Sequence, residues 1–183
     1  MKQRILAILL SLTMMFTLVP TAMAEGSGPV AQIGEITYAT LKAAFEGAKD
    51  GDTITLTDDI KVEDTLVVTK TLTLDLAEHT LSNEKDIWSD DNWSLISVRG
   101  NGNLTITGNG TLKAKEDDCY PVDVQDEGAQ LTIENGTFIG NIHAVYVETG
   151  AAYIKGGTYS VQQKYPDSSK ACLLYTSPSP RDS

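Results

Sequence analysis

Apolar and polar residues alternate along much of the chain, in short runs separated by turn residues. The clearest pair of runs is LTITGNGTL at residues 104–112 and LTIENGTF at residues 131–138. Alternation with a period of two is typical of β-strands that bury one face. Because the two runs also share turn residues, they indicate a structural repeat rather than two unrelated strands.

The repeat contains three strand-like segments that recur in a fixed order. The first has an apolar, polar, apolar pattern and recurs at residues 72–74, 104–106, 131–133 and 152–154. The second places a Thr and an apolar residue after a turn, at residues 79–81, 110–112, 136–138 and 157–159. The third recurs at residues 66–68, 96–98, 122–124 and 145–147. Since this order returns roughly every 20 to 30 residues, a solenoid is predicted.

Short strands and tight turns predict an all-β parallel β-helix over residues 53–171. Gly110 and Gly136 each follow an Asn, and glycine permits the positive φ that a tight corner needs. His79 holds the corresponding place in the first repeat and is expected to adopt the same conformation. A sandwich of hairpins would also explain the alternation, but not the recurring strand order.

A capping helix is predicted within residues 37–52, after a linker or first strand at residues 25–36. Its apolar residues have the i, i+3, i+4, i+7 spacing of one helix face: Leu41, Ala44, Phe45 and Ala48. Thr40 is the expected N-cap and Gly51 the expected C-terminal stop. We expect this helix to cover the open end of the β-helix core, because terminal repeats need a cap.

Two stretches resemble the opening of a known group of secreted proteins. ITYATLKAAFEGAKDGDTITLTDDI at residues 36–60 and TLTLDLAEHTLS at residues 71–82 are similar to right-handed parallel β-helix proteins of the pectin-lyase-like superfamily, in particular to surface β-helix proteins of gut Gram-positive bacteria. The resemblance covers about residues 36–159 and implies a right-handed β-helix and secretion. Ala77 and Glu78 stand where that family usually has Asn-Gly, so this corner is expected to differ. The superfamily includes lyases, hydrolases, esterases and inert stalks, so the resemblance does not define the chemistry.

Residues 1–24 predict a secretory signal peptide. Lys2 and Arg4 precede an apolar run at residues 5–19, and Ala22 and Ala24 form a small-x-small cleavage site. The run is short for a membrane span, so we expect no membrane span in the mature chain; an uncleaved anchor is the alternative. The protein is therefore expected to be secreted or extracellular.

Residues 172–183, CLLYTSPSPRDS, resemble a translated sequencing adapter, which matches Cys172 to Asp182 residue for residue. On this interpretation the tail is excluded from the fold, and the natural chain continues beyond about residue 171, where a cell-wall attachment region would lie. The alternative is a genuine tail rich in Pro and Ser. Without the tail Cys119 is the single cysteine, which predicts no disulfide and an unreactive thiol.

The formal net charge is −11 at pH 7, which disfavours nucleic acids and anionic membranes as partners. The acidic segment at residues 116–128 offers five candidate calcium ligands: Asp117, Asp118, Asp123, Asp126 and Glu127. Asp123 is expected to point outward, because Val122 and Val124 point inward. The spacing is not that of an EF-hand loop, so a solvated acidic edge is the alternative. No other cofactor is predicted.

Aromatic residues are the candidate glycan ligands. The insert at residues 83–94 contains Trp88 and Trp93 among acidic residues, and exposed aromatic rings stack on sugar faces. Tyr146 and Tyr153 are expected to face outward from their strands and to extend this binding face. The alternative is that one or both Trp side chains fold back and cover the flank of the solenoid.

No catalytic residue is predicted. His143 has no catalytic partner placed beside it by spacing, and Arg99, among Gly and Asn residues, is interpreted as a surface turn residue. The sequence therefore favours a non-enzymatic secreted or cell-surface module that binds a polysaccharide or another surface component. A polysaccharide lyase or glycoside hydrolase with catalytic residues partly beyond residue 171 is the alternative, and a structural spacer is the third reading.

Overall fold

The computed structural model describes residues 28–87, 92–116 and 119–163, and the backbone of residues 174–176. Over these residues the chain forms one helix, α1 (Leu41–Gly47), and seventeen strands. In chain order the strands are β1 (Ala31–Ile33), β2 (Ile36–Tyr38), β3 (Thr53–Leu56), β4 (Ile60–Val62), β5 (Leu66–Val68), β6 (Thr71–Asp75), β7 (Thr80–Asn83), β8 (Ser94–Val98), β9 (Asn103–Thr107), β10 (Thr111–Lys113), β11 (Tyr120–Val124), β12 (Gln130–Ile133), β13 (Thr137–Gly140), β14 (Val145–Val147), β15 (Ala151–Ile154), β16 (Thr158–Val161) and β17 (Leu174–Thr176).

The strands form three sheets, and from β3 onward each sheet takes every third strand. The first sheet has the order β15-β12-β9-β6-β3-β1-β2, the second β16-β13-β10-β7-β4, and the third β17-β14-β11-β8-β5. All pairs are parallel except those of β1 with β2 and β3, which are antiparallel. This arrangement of parallel sheets is consistent with a parallel β-helix. It excludes the hairpin sandwich, which would pair consecutive strands in antiparallel fashion.

The strand register confirms the alignment of the three predicted segments. In the first sheet the aligned residues are Leu72, Leu104, Leu131 and Ala152. In the second they are Leu81, Leu112, Phe138 and Tyr159. In the third they are Val68, Val98, Val124 and Val147. Since strand side chains alternate between faces, a correct register places each apolar set in one buried column.

The core consists of these inward columns. Leu74, Ile106 and Ile133 lie directly over one another in the first sheet, and all three are fully buried. Burial of each such side chain stabilises the fold by roughly 1.5–3 kcal/mol. The partly buried positions between them are polar, as the alternation predicts.

The corner after β6 differs from the expectation at His79. Within the described residues Ala77 is the one non-glycine residue with a positive φ, of 51°, so the prediction for His79 was wrong. The turn lies at residues 76–79, before the expected position, because the His79 N–H donates to the Leu76 carbonyl at 2.9 Å. Gly110 is needed for a different reason from the one predicted: a Cβ at this position would lie 2.3 Å from the His79 carbonyl oxygen. Gly136 does have a positive φ, of 117°.

Helix α1 is shorter than the predicted segment 37–52, because β2 occupies residues 36–38 and the helix ends at Gly47. Thr40 is the N-cap, and its side chain accepts a hydrogen bond from the Ala43 N–H at 3.2 Å. At the other end, Lys70 Nζ donates to the carbonyls of Phe45, Glu46 and Ala48 at 3.2, 3.1 and 2.7 Å. The last carbonyls of the helix are therefore bound by Lys70, which directly precedes β6, and the helix ends before Gly51. A cation is favourable there, because the C-terminal end of the helix dipole is negative.

Several predictions about the ends of the chain concern residues outside the described ranges. The signal peptide at residues 1–24, and most of the tail at residues 172–183, belong to these. Within the tail, β17 pairs in parallel with β14. Backbone pairing does not reveal where the codons came from, so the adapter interpretation stays a prediction. Among the described residues, no helix has the length and apolar character needed to cross a membrane.

Candidate functional site

The outer face of the third sheet carries the main candidate site. Strands β8, β11 and β14 lie side by side there, with Ser97 opposite Asp123 and Asp123 opposite Tyr146. All five residues of β8 are buried, although only alternate ones face the core. The outer face of this sheet is therefore covered in part by other side chains, unlike a simple solvated strand face.

An open groove of about 590 Å³ lies on this face. Its lining residues are Trp93, Arg99, Tyr120, Gln125, Asp126, Tyr146 and Glu148. The set combines three aromatic rings with two carboxylates, one guanidinium and one amide. A concave surface with a few convergent polar groups is the usual form of a ligand site.

One wall of the groove is a column of polar residues from successive strands. Arg99, Gln125 and Glu148 each follow the last residue of a strand in the third sheet. Their backbone N–H groups donate to the carbonyls of Val68, Val98 and Val124 at 2.9, 3.0 and 2.9 Å, which continues the parallel ladder by one residue. Adjacent strands are about 4.8 Å apart, so the column places a cation, an amide and a carboxylate in order over about 10 Å.

The groove also has an aromatic wall. The rings of Tyr120 and Tyr146 stack with their centroids 5.1 Å apart and an interplanar angle of 24°. His143 adjoins both rings, at 5.3 Å from Tyr120 and 5.7 Å from Tyr146. Trp93 lies beside them, since its carbonyl accepts the Tyr120 N–H at 2.8 Å, and its side chain is 38% exposed. The wall therefore offers ring surface to solvent at the start of the strands.

Asp123 lies beneath the groove and is completely buried. Its Oδ2 accepts a hydrogen bond from Gln125 Nε2 at 2.7 Å, whereas its Oδ1 has no well-aligned partner among the described residues. Burial raises the pKa of the Asp123 carboxyl, and this effect is opposed by hydrogen bonding from Ser97, Gln125 and Ser94 and by the charge of Arg99. Asp123 shares its column with Ser97 and Tyr146, and its side chain is buried rather than part of a solvated acidic edge.

Arg99 opens a turn, as expected, because its carbonyl accepts the Gly102 N–H at 2.9 Å, but its side chain is held in place. Its Nε donates to Ser97 Oγ at 2.9 Å, and its Nη2 donates to Asn92 Oδ1 at 3.0 Å. The side chain is half-buried at the edge of the groove. Two hydrogen bonds to different atoms fix the plane of the guanidinium, which is the geometry that directional recognition requires.

The predicted glycan ligands are divided by the structure. Trp93 and Tyr146 lie in the groove, whereas Tyr153 is 52% exposed on β15 of the first sheet. Trp88 lies outside the described residues. The groove thus contains part of the predicted aromatic face and adds Tyr120, which the sequence reasoning did not select.

The candidate calcium ligands are also dispersed. Asp117 and Asp118 lie outside the described residues, and Asp123 is buried and bonded to Gln125. Asp126 is exposed, with its Oδ2 accepting the Gly100 N–H at 2.6 Å, and Glu127 is exposed in the following turn. In the described part of the chain, no three acidic, His or Cys side chains are grouped to hold a metal ion. The calcium hypothesis stays a prediction.

Sequence reasoning missed Arg99, Tyr120, Gln125 and Glu148. A signal for three of them was present, because Arg99, Gln125 and Glu148 each stand one position after an aligned Val of the third segment. Aligning the position that directly follows each third segment, and not only the apolar positions, would have selected this column. Tyr120 had no such signal, since its ring position depends on packing against Tyr146.

Cysteine chemistry does not contribute to the groove. Cys119 is buried, and its Sγ lies 3.9 Å from Asn83 Oδ1. Comparisons with known proteins found no matching family model, no matching curated protein and no matching solved structure. The function of the groove must therefore be inferred from its own residues.

Proposed function

We propose that this protein is a right-handed parallel β-helix, secreted or held at the cell surface, that binds carbohydrate in the groove on its third sheet. The observation that carries the proposal is the pairing of an aromatic wall with a column of directional polar groups in one groove. Neither wall alone would be specific, because aromatic residues and charged residues are both common on protein surfaces.

The chemistry of the two walls suits sugars. A sugar ring has an apolar face of C–H groups, which packs on the amphipathic surface of Trp or Tyr. Its hydroxyl groups need donors and acceptors with fixed directions, and Arg99, Gln125 and Glu148 supply both. The distance from Trp93 to Arg99 spans six residues of extended chain, about 20 Å at 3.3 Å per residue, which favours an oligosaccharide over a single ring.

Secretion and the cell surface enter the proposal from the sequence. The basic start, apolar run and small-residue cleavage site of residues 1–24 support export. The resemblance to pectin-lyase-like β-helix proteins supports the right-handed winding, and the three parallel sheets are compatible with it. A bacterial surface location would bring the groove into contact with host or bacterial glycans.

The test is retention of the protein by immobilised or gel-embedded polysaccharides. Homogalacturonan, xylan and mucin glycans are suitable probes, each with calcium and with a chelator, since Asp126 and the undescribed Asp117 and Asp118 remain calcium candidates. We expect at least one polysaccharide to retard the wild-type protein. The double variant Trp93→Ala/Tyr146→Ala should lose about tenfold or more in affinity, because stacked rings are dominant contacts at binding sites.

The matched control is Tyr153→Ala, which removes an exposed tyrosine from a different sheet. It should bind as the wild-type protein does. Far-UV circular dichroism should be the same for all three proteins. Equal retardation of the wild-type protein and the double variant would exclude the groove as the binding site.

The alternative function is catalysis in the same groove. Asp126 and Glu148 are two carboxylates lining one cavity with Arg99, and pairs of carboxylates are the machinery of glycoside hydrolysis. Incubation with pectic polymers and calcium would produce unsaturated ends that absorb in the ultraviolet if the protein is a lyase, or reducing ends alone if it is a hydrolase. Product formation that is abolished in Glu148→Gln would establish this alternative. A protein that neither binds nor cleaves would fit the structural spacer.

A further inference from the structure

A buried carboxylate beneath a binding groove needs a reason, because it is costly in folding. Removing a charge from water carries a large penalty unless partners compensate, and Asp123 is fully buried with only one oxygen well bonded. The fold itself does not require a polar residue in this column, since Val67 occupies the position next to Ser97 on β5. In the aligned set Val67, Ser97, Asp123 and Tyr146, the polar residues therefore lie on the strands that carry the groove.

Two polar side chains of the groove depend on this carboxylate or on the residue beside it. Gln125 Nε2 donates directly to Asp123 Oδ2 at 2.7 Å, and Gln125 is one of the residues that line the groove. Arg99 Nε donates to Ser97 Oγ at 2.9 Å, and Ser97 lies opposite Asp123 in the register. The acceptor oxygen of Ser97 is used by Arg99, so its hydroxyl hydrogen is directed elsewhere, and the Asp123 carboxylate is the adjacent acceptor.

We infer that Asp123 is the positioning residue of this groove, which orients Gln125 directly and Arg99 through Ser97 for recognition of ligand hydroxyl groups. The inference rests on the proposed carbohydrate site and names the residues that set its specificity. Asp123 touches no ligand, because none of its surface is exposed. It acts by restricting the rotamers of Gln125 and Arg99, the two side chains that would contact the ligand, and this lowers the entropy lost on binding.

The other groups around Asp123 are consistent with this role. Arg99 supplies a positive charge from the end of β8, and Tyr146 lies opposite Asp123 on β14. Asp126 and Glu148 are on the rim of the groove and add negative charge there. A negative groove with one fixed guanidinium favours neutral or amino sugars over polyanionic chains.

The first experiment needs no ligand. In the ¹⁵N-labelled protein we expect the side-chain N–H signals of Gln125 and Arg99 Nε to be resolved and slow to exchange with water. In Asp123→Asn both signals should shift and exchange at least about tenfold faster, because the amide is a weaker acceptor than the carboxylate for Gln125 and for the Ser97 hydroxyl that holds Arg99. Asp75→Asn is the matched control: Asp75 is a strand carboxylate of the first sheet whose Oδ1 accepts the Ala77 N–H, and its replacement should leave both signals unchanged.

The second experiment is a double-mutant cycle on affinity for the polysaccharide that retards the wild-type protein. Gln125→Ala should weaken binding about tenfold and Asp123→Asn at least as much. The double variant should be no weaker than Asp123→Asn alone, since Asp123→Asn has already lost the orientation of both Gln125 and Arg99. If the losses in binding free energy of the two single variants add up in the double variant, the inference is overturned. Additivity would mean that Asp123→Asn weakens binding independently of Gln125, as a general structural defect would.

The two proposals fail separately. If no polysaccharide retards the wild-type protein, the carbohydrate function fails, while the exchange experiment still tests whether Asp123 holds Gln125 and Arg99. Unchanged signals in a folded Asp123→Asn protein overturn the positioning role even if binding is found. Should Asp123→Asn not fold, Ser97→Ala replaces it: that variant should release the Arg99 signal and leave the Gln125 signal unchanged, and any other pattern counts against the inference.

Discussion

Replacing Phe138 with Ala tests whether the stacked coils form one packed core. Phe138 is fully buried, aligned with Leu112 in the register, and its ring stacks on Tyr159 at 5.3 Å and 13°. An aromatic side chain buries about 150–250 Å², which at about 25 cal/mol per Å² is worth about 4–6 kcal/mol. Alanine retains part of that area, so we expect Phe138→Ala to lower the free energy of unfolding by about 4 kcal/mol, within the usual range for such truncations.

The assay is equilibrium unfolding in urea followed by far-UV circular dichroism. Phe138→Leu is the matched control and should lose about 1 kcal/mol, since it keeps most of the volume. Tyr159→Phe keeps the ring stack and removes only the hydrogen bond from the tyrosine hydroxyl to the Gly156 carbonyl, so it should also lose about 1 kcal/mol. A loss below about 2 kcal/mol for Phe138→Ala would refute the reasoning, because it would mean that this site does not leave a cavity.

Three further predictions concern backbone strain, helix capping and pH. Ala77→Gly should raise the free energy of unfolding by about 0.5–1 kcal/mol, since relief of the strained left-handed backbone outweighs the added entropy of the unfolded chain. Thermal unfolding measures this change. The control is Ala48→Gly, at a φ of −66°, which should instead destabilise the protein. Lys70→Met should cost about 1–2 kcal/mol in the same assay by removing three hydrogen bonds to helix carbonyls, whereas Lys42→Met breaks only an exposed ion pair and should change little. Because burial raises the pKa of the Asp123 carboxyl, its contribution to stability is present below the unfolded pKa of 3.8 and is lost as pH rises through the folded pKa. The free energy of unfolding of the wild-type protein minus that of Asp123→Asn should therefore fall as pH rises. A difference that stays flat or rises would contradict the raised pKa.

The apolar columns could be predicted because they depend on local spacing. Alternation within each segment assigns a face to every residue, and recurrence of the segments assigns their register. The pattern therefore predicts the alignment of Leu72, Leu104 and Leu131, and the structure pairs them as predicted. The helix was located for the same reason, although its bounds were too wide because a three-residue strand and an extended cap leave little periodic signal.

The corner at Ala77 could not be predicted from residue types. Ala seldom adopts positive φ, so the expectation moved to His79, which tolerates it better. The conformation is imposed by the neighbouring coil, where the Asn109 N–H donates to the Ala77 carbonyl at 2.6 Å, and by the Asp75 carboxylate, which accepts the Ala77 N–H at 2.8 Å. Contacts between coils thus outweigh a local preference of about 1–2 kcal/mol.

The sequence by itself determined the repeat, the strand order, the register and the apolar columns, because alternation within each segment assigns the faces and recurrence of the segments assigns their order and register. Only the tertiary structure decided that Trp93 and Tyr146 share a groove while Tyr153 does not, and that Asp123 is buried beneath it. The reason is physical: alternation tells which face of a strand a side chain occupies, but whether that face is solvated or covered depends on loops and neighbouring coils that pack over it. A chemical site on these parallel sheets is therefore made by adjacency between strands of successive repeats, which no single repeat encodes.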